Sequence, residues 1–175
     1  MSNIMKTFKT IEVINIVSYL NNTMKEDQVK ELPTKVRWNL KKNIDKLIPV
    51  AKSFEEFRDN MIKELQSEYF NDEKSYEYAE VKKDSDGNPI LRDDGTEETE
   101  QMRKVKDEYL DEYSAAVKDL NDKLQEILVE ENDIEIATIN MDAFVDSLPD
   151  DTAIDFDCLN IMCFMDETTN VKEAK

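Results

Sequence analysis

Histidine is absent from this 175-residue chain, and cysteine, glycine, proline and tryptophan are scarce. Without histidine the chain lacks the commonest general base, the usual transition-metal ligand and the usual pH switch near neutrality. Its two cysteines, Cys158 and Cys163, are too few for a disulfide framework in a protein of this size, and on a helix they would lie on different faces. We therefore expect reduced thiols, no cofactor and no enzymatic activity.

Long apolar runs are also missing. No stretch approaches the ~18 consecutive apolar residues of a membrane span, and the N-terminus lacks the basic-then-apolar pattern of a signal peptide. These absences predict a soluble, intracellular protein with no membrane partner. Given its length and its hydrophobic content of 39%, the chain is predicted to form a single elongated domain over residues 1–167, with a disordered tail over residues 168–175.

No motif of established chemistry is present. Asp84, Asp86 and Asn88 have the alternating spacing that opens a calcium loop, but Pro89 stands where such a loop needs glycine and Gly95 where it needs glutamate. We therefore interpret this segment as a solvated turn. Four acids near the C-terminus lack the basic or glycine-rich phosphate cradle of a magnesium site, and we interpret them as surface charges. They are Asp150, Asp151, Asp155 and Asp157. The sequence predicts neither a metal site nor catalytic residues.

What the sequence does contain is a long helical pattern. From Thr34 to Phe70, apolar residues recur at spacings of three, four or seven and form one stripe. At about 1.5 Å per residue such a helix would be roughly 55 Å long, which is too long to bury its stripe alone. The only other segment of similar period and length runs from about Glu97 to Glu130. We therefore predict a mainly α fold with minor β structure, built on an elongated antiparallel two-helix hairpin.

The remaining segments are predicted to form the two ends of this hairpin. Residues 1–33 and the acidic segment 131–167 would form a small α/β base, in which strands at Asn3–Lys9 and from Ile134 onward can pair. A β-hairpin-like insert would occupy residues 71–96 at the far tip, between the long helix over 34–70 and the return helix over 97–130. Its turn signals are Asp86-Gly87-Asn88-Pro89 and Asp93-Asp94-Gly95.

Several local features are predicted within these segments. A short helix from Thr10 should end at Asn21-Asn22, whereas residues 25–31 should form a loop or a single turn. Pro49 should kink the long helix without breaking it, because the apolar stripe stays in phase across it. Thr96 and Asp142 are predicted helix caps. The closing segment from Asp155 to Met165 has an apolar face that consists of Phe156, Leu159, Met162 and Cys163.

The net charge of −18 is spread unevenly. Residues 1–70 contain 12 basic and 10 acidic side chains, whereas residues 71–175 contain 11 basic and 31 acidic ones. Basic residues are concentrated between Lys35 and Lys46, and thirteen acids lie between Glu126 and Glu167 without an intervening lysine or arginine. Charge blocks of this kind are usually solvated faces. Their complementarity nevertheless predicts that the basic turns face the acidic C-terminal region within one molecule.

Eight residues are candidates for contact with a partner. Trp38 lies among basic residues, as at surfaces that bind single-stranded nucleic acid. However, the overall charge repels nucleic acid, and a lone tryptophan on an amphipathic helix is more often packed than functional, so we do not expect direct nucleic-acid binding. The apolar C-terminal residues fit either a patch for another protein or core packing, and both alternatives stay open. The candidates are Lys35, Arg37, Trp38, Lys41, Lys42, Ile161, Phe164 and Met165.

Several short segments occur in an order along the chain that can be compared with known protein groups. They are Lys6-Thr7-Phe8 to Leu20-Asn21, Leu32-Pro33-Thr34-Lys35-Val36 running into Lys41-Lys42-Asn43-Ile44, Phe54-Glu55-Glu56-Phe57-Arg58, the turns at Asp86-Gly87-Asn88-Pro89 and Asp94-Gly95, Ile134-Glu135-Ile136, and Leu159 to Met165. This succession resembles a group of small uncharacterised proteins encoded by tailed bacteriophages and prophages. The resemblance implies a phage origin and a place in the host bacterial cytoplasm. Because the group has no established activity, no functional residues carry over, and Cys158 and Cys163 fall outside the pattern.

Together these features predict a non-catalytic, acidic interaction protein of phage type, which serves virion assembly or acts as a structural accessory. Its partner would be a phage or host protein, and it would act in the host cytoplasm or in association with the virion. The alternative is an acidic mimic of nucleic acid that inhibits a host DNA-binding or defence protein. Mimicry requires acids at phosphate-like spacing on a continuous exposed face, whereas an interaction protein requires only a defined shape.

Overall fold

The computed structural model of the protein describes residues 3–22 and 24–168, so the predicted tail from residue 169 onward lies outside the described residues. Over the described ranges the chain forms six α-helices and four β-strands. The helices are α1 Thr10–Asn22, α2 Glu26–Glu31, α3 Thr34–Tyr69, α4 Leu110–Leu128, α5 Met141–Asp146 and α6 Phe156–Met162. The strands are β1 Asn3–Lys9, β2 Ser75–Val81, β3 Thr99–Val105 and β4 Glu131–Ala137. No helix among these has both the length and the apolar character that crossing a bilayer requires.

The internal contacts divide the chain into two compact units, where a single domain was predicted. The first unit consists of residues 1–57 and 125–175, and the second consists of residues 58–124. Most of the described buried apolar residues belong to the first unit, in a cluster that includes Val13, Leu47, Ile136 and Met162. The core therefore brings together segments from both ends of the sequence.

The first unit is built on a two-stranded antiparallel sheet. Strands β1 and β4 pair from Asn3 opposite Ala137 to Lys9 opposite Glu131, which confirms the predicted pairing. The first half of α3 packs against this sheet through polar as well as apolar side chains. The buried Asn43 amide donates from Nδ2 to the carbonyl of Ala137 at 3.0 Å, and its Oδ1 accepts from the Ala137 N–H at 2.8 Å. Helix α3 thereby supplies the hydrogen bonds that a third strand would make.

The C-terminal part of the first unit follows β4. Asn140 caps α5, since its side chain accepts from the N–H of Ala143 at 2.8 Å. The prediction that Asp142 caps this helix was wrong, because Asp142 lies inside its first turn. Helix α6 is capped by Asp155, which accepts from the N–H of Cys158 at 2.8 Å, and a 3₁₀ turn over Cys163–Met165 follows it.

The second unit contains the other sheet. Strands β2 and β3 are antiparallel, from Ser75 opposite Val105 to Val81 opposite Thr99. Beyond them the chain makes two similar turns, in which the N–H of Gly87 bonds the carbonyl of Asp84 at 3.1 Å and the N–H of Gly95 bonds that of Arg92 at 2.9 Å. Both glycines have positive φ, at 86° and 80°. The dipeptide Asp-Gly in each turn signal supplies this conformation.

The predicted fold class is wrong, although the predicted long helix is confirmed as α3, which continues through Pro49. The return helix was predicted from Glu97, but Thr99–Val105 forms strand β3. Helix α4 begins only at Leu110 and has 19 residues against 36 in α3. Two small sheets and six helices over the described residues thus replace the elongated two-helix hairpin.

Cross-strand partners explain this error. Met102 and Val105 are three residues apart and fit a helical stripe, but Arg103 bonds Glu77 on the opposite strand, with Nη2 3.2 Å from Oε1. Thr96, predicted to cap the return helix, instead donates its hydroxyl to Asp94 at 2.6 Å within the second turn. The local spacing of apolar residues is compatible with helix or strand, and pairing with β2 decides between them.

Candidate functional site

An apolar groove lies in the first unit, between the end of α1, helix α2 and the first turns of α3. Its volume is about 400 Å³. The residues that line it are Leu20, Met24, Val29, Thr34, Arg37, Trp38, Leu40, Lys41 and Ile44. Three of the eight predicted contact residues, Arg37, Trp38 and Lys41, therefore lie together in this groove.

Helical periodicity places these three residues on one side of α3. Positions 34, 37, 38, 41 and 44 are three or four apart and share a face, whereas Val36 and Leu47 turn into the core. Trp38 keeps 62% of its surface exposed. Burial of the exposed indole of Trp38 by another molecule would therefore be energetically favourable.

The opposite wall is helix α2, which was predicted to be a loop or a single turn. Gln28 is buried, and its Oε1 accepts from the N–H of Lys25 at 2.9 Å. Its Nε2 donates to the carbonyl of Ala153 at 3.2 Å and to Oδ2 of Asp155 at 2.9 Å. Glu31 accepts from the N–H of Ala153 at 2.7 Å. These bonds fix α2 to the segment that precedes α6 and give the groove a defined wall.

The two basic side chains at the groove, Lys41 and Arg37, differ in whether they have an acidic partner. Lys41 pairs with Asp45 one helical turn away. Arg37 is exposed, and over residues 3–22 and 24–168 no carboxylate lies within 4.0 Å of its guanidinium. Arginine is suited to bidentate binding of a carboxylate. The groove therefore combines an apolar floor with one uncompensated cation.

The other predicted basic residues lie elsewhere. Lys35 lines a separate depression with Pro33, Val36 and Glu167, and Lys42 lies near Glu135 of β4. Lys46 forms an ion pair with Glu135 at 2.8 Å. The Lys46 hydrogen bond, followed by its charge, holds the pKa of Glu135 below its usual value. The basic turns of α3 thus contact β4 at Lys46 and leave Arg37 at the groove.

The C-terminal candidates have a different environment. Phe164 and Met165 are buried in the core, at 7% and 0% exposure. Ile161 is half-buried beside a shallow depression that Phe8 and Ile16 also line. Of the two alternatives left open for these residues, core packing describes Phe164 and Met165. Because so little of these two side chains is exposed, we leave them out of the candidate site.

Sequence reasoning missed Phe156. It was assigned to the apolar face of the closing segment, but in the structure it is 79% exposed at the first position of α6. The available signal was its flanking residues, because Asp155 and Asp157 make this point of the chain strongly polar. An aromatic side chain between two carboxylates at a helix start is poorly suited to a core.

The first unit also contains both cysteines of the chain. Both are free, and Cys158 is buried whereas Cys163 is exposed. Burial, with a smaller contribution from Asp155, raises the pKa of the Cys158 thiol to about 11, so it is protonated at neutral pH and weakly nucleophilic. Within the described ranges no three acidic or cysteine side chains are grouped so that they could hold a metal ion.

Comparison of the chain with known protein families, with curated proteins and with solved structures gives no match. The similarity to phage proteins rests on the order of the sequence segments alone and stays a prediction.

Proposed function

We propose that this protein is a non-catalytic binding module whose groove receives an apolar side chain, flanked by carboxylates, from a protein partner. The observation that carries this proposal is the position of Trp38, which is 62% exposed on the wall of an apolar groove beside the unpaired Arg37. Tryptophan and arginine are the residue types most enriched among the dominant contacts of protein interfaces. Covering the exposed part of Trp38 is worth roughly 3 kcal/mol.

The charge of the molecule favours a protein segment over nucleic acid as the occupant. A net charge of −18 repels a phosphate backbone. In the groove, Lys41 is already paired with Asp45, which leaves Arg37 as the cation available to a ligand. One guanidinium beside apolar surface suits one carboxylate next to an aromatic or aliphatic side chain. The proposed setting is that of a phage interaction protein in a bacterial host, as the sequence resemblance implies.

The experiment uses Trp38 as its own reporter, because the chain contains one tryptophan. A synthetic amphipathic helical peptide, with leucine and phenylalanine on one face and glutamate on the other, is titrated into the full chain. We expect a saturable blue shift of tryptophan emission as the indole is covered. The same peptide with lysine in place of glutamate should bind at least about tenfold more weakly, since a charge-assisted hydrogen bond contributes roughly 1.5 kcal/mol or more.

A matched pair of variants tests whether Arg37 recognises the carboxylate. Arg37→Glu should weaken binding of the glutamate peptide about tenfold or more, whereas Lys52→Glu makes the same change of charge sign at an exposed position of α3 outside the groove and should have little effect. Equal binding of both peptides to the parent protein would show that charge does not select the ligand. If neither peptide shifts the emission of the folded protein, the groove is not a binding site.

A further inference from the structure

The chain itself contains a segment with the chemistry that the groove requires. Phe156 is 79% exposed, the largest value among the exposed large hydrophobic residues of the described chain, and the exposed Asp157 follows it. Resting on the proposed function, we infer that the occupant of the groove is a second copy of this chain. Phe156 of one copy packs against Trp38 of the other, and Asp157 faces Arg37.

The hydrogen bonds of Asp155 fix the backbone next to Phe156. The side chain of Asp155 is engaged on both sides, because it accepts from the N–H of Cys158 at 2.8 Å and from Gln28 at 2.9 Å. These bonds hold the first turn of α6 in place and leave Phe156 outside the core. An exposed aromatic side chain on a fixed backbone can enter a partner's pocket at little cost in conformational entropy.

Size and charge both match the groove. A phenylalanine side chain fits easily in a volume of about 400 Å³, and its ring can pack edge-to-face or offset against the indole of Trp38. Over residues 3–22 and 24–168, neither Arg37 nor Asp157 has an oppositely charged group within 4.0 Å. Arg37 of one copy and Asp157 of the other could therefore form an ion pair that neither makes within the described part of its own chain. The exposed Asp150 and Asp151 add negative charge to the segment that Arg37 would meet.

The two surfaces are neighbours in the first unit. Gln28 of α2 bonds Asp155, next to Phe156, while the adjacent Val29 lines the groove. In the proposed two-fold arrangement, each copy inserts its own Phe156 into the partner's groove and receives the partner's Phe156 in its own. Such an isologous arrangement closes on itself, so it forms a dimer and not a chain of copies.

The large net charge of the chain determines the ionic strength at which self-association should be measured. Two copies with a charge of −18 each repel one another at low ionic strength. At about 0.15 M salt the Debye length is about 8 Å, so distant charges are screened while Arg37 and Asp157 in direct contact are screened much less. Self-association is therefore measured at that ionic strength.

The experiment is sedimentation equilibrium of the full chain over a wide concentration range, with Trp38 emission followed in parallel. We expect a monomer–dimer equilibrium, with red-shifted emission on dilution as the indole is uncovered. Phe156→Ser should weaken dimerisation at least tenfold and keep the emission red-shifted at every concentration. Phe57→Ser, which changes a second exposed phenylalanine of the first unit that lines a different depression, should dimerise like the parent.

A charge swap tests the pairing of the two residues directly. Arg37→Glu and Asp157→Arg should each weaken the dimer at least tenfold, and the double variant that carries both changes should recover most of the lost affinity. Recovery requires that the two side chains meet across the interface, which a merely structural role of either residue would not produce.

Three results would overturn the inference: a parent protein that is monomeric at all accessible concentrations, a Phe156→Ser variant that dimerises normally, or a double variant with no recovery. Species larger than a dimer would contradict the two-fold arrangement. These results are separable from failure of the proposed function. If the glutamate peptide still shifts Trp38 emission in a monomeric protein, the groove binds acidic apolar segments and only the second copy is excluded as its occupant.

Discussion

At the scale of single residues, Lys6 is notable because a lysine, which is normally charged and exposed, is buried here. Its side chain lies on the same face of β1 as Phe8 and is 1% exposed, although it carries a charge. Its ammonium donates to the carbonyl of Phe164 at 3.1 Å and also to the carbonyl of Asp166. Strand β1 thereby holds the 3₁₀ turn that follows α6. Burial lowers the pKa of Lys6, and the nearby charge of Asp166 opposes this effect.

Replacing Lys6 by methionine should destabilise the protein by about 1–3 kcal/mol, because the two carbonyls lose this donor while remaining buried. Lys9→Met, on the exposed face of the same strand, should change the free energy of unfolding by less than about 0.5 kcal/mol. Urea unfolding of both variants measures the difference. Equal effects at the two positions would mean that the carbonyls find water or other donors.

The lowered pKa of Lys6 also predicts a pH dependence. Since the folded value lies below the unfolded value of about 10.4, the unfolded state binds more protons between the two. The contribution of Lys6 to stability should therefore increase as the pH rises through its folded pKa. The difference in unfolding free energy between parent and Lys6→Met should widen from neutral to alkaline pH, and a constant difference would contradict the assigned cause.

Residue-level prediction succeeded where helix geometry alone decides the outcome. Val36, Leu40 and Leu47 recur at spacings of four and seven in the predicted stripe of the long helix, and all three are buried in the structure. The exposure of Phe156 and the burial of Met165 were not accessible in the same way. Both depend on how the segments after β4 pack against β1 and α1, and no local pattern encodes that packing.

At the scale of elements, turns were predicted better than the segments that flank them. The two Asp-Gly turns depend on four or five consecutive residues, and Asp84 accepts backbone N–H bonds from Asp86 and Asn88 at 2.9 Å within its own turn. Strand β3 depends instead on partners in β2, from Val81 opposite Thr99 to Ser75 opposite Val105, which are distant in the sequence. A spacing that suited both helix and strand could not identify those partners.

The two turn glycines give an element-scale prediction. A Cβ atom at Gly87 or Gly95 would meet nothing within 4 Å, but their φ angles of +86° and +80° are unfavourable for other residues. Alanine at either position should therefore cost about 1–2 kcal/mol through backbone conformation alone. Asparagine tolerates this region better and should cost less. Ser85→Ala in the same loop is the matched control, and thermal unfolding is the measurement. Equal losses for alanine and asparagine would indicate a steric cause.

At the scale of the whole molecule, Lys46 and Glu135 form an ion pair between the two differently charged parts of the sequence. Lys46 belongs to residues 1–70, which have a slight excess of basic residues, and Glu135 belongs to the acidic remainder. Lys46 Nζ also donates to the Glu135 carbonyl at 2.7 Å. Because the pKa of Glu135 is lowered in the folded state, its contribution to stability is present above the unfolded value of about 4.3 and is lost as the pH falls through the folded value.

Lys46→Met should therefore destabilise the protein near neutrality and converge with the parent in acid. The difference should also shrink in about 1 M salt, because the pair is partly exposed. Lys52→Met removes an exposed lysine of the same helix, and its effect should vary less with pH. Chemical unfolding across pH measures all three proteins. A Lys46→Met effect that is independent of pH would show that the carbonyl contact, and not the ion pair, provides the stability.

The way α3 covers β4 also bears on how the molecule avoids aggregation. A strand with an unpaired edge is a template for other chains, which can add to it strand by strand. Along β4 and the residue after it, that edge is occupied by side chains: Asn43 bonds the backbone of Ala137, Asn39 donates to the carbonyl of Thr138 at 3.4 Å, and Lys46 bonds that of Glu135. A leucine at position 43 could still fill the core, but it would leave the Ala137 edge open to strand addition. We therefore expect the two asparagines to hinder the addition of a further strand to this small sheet.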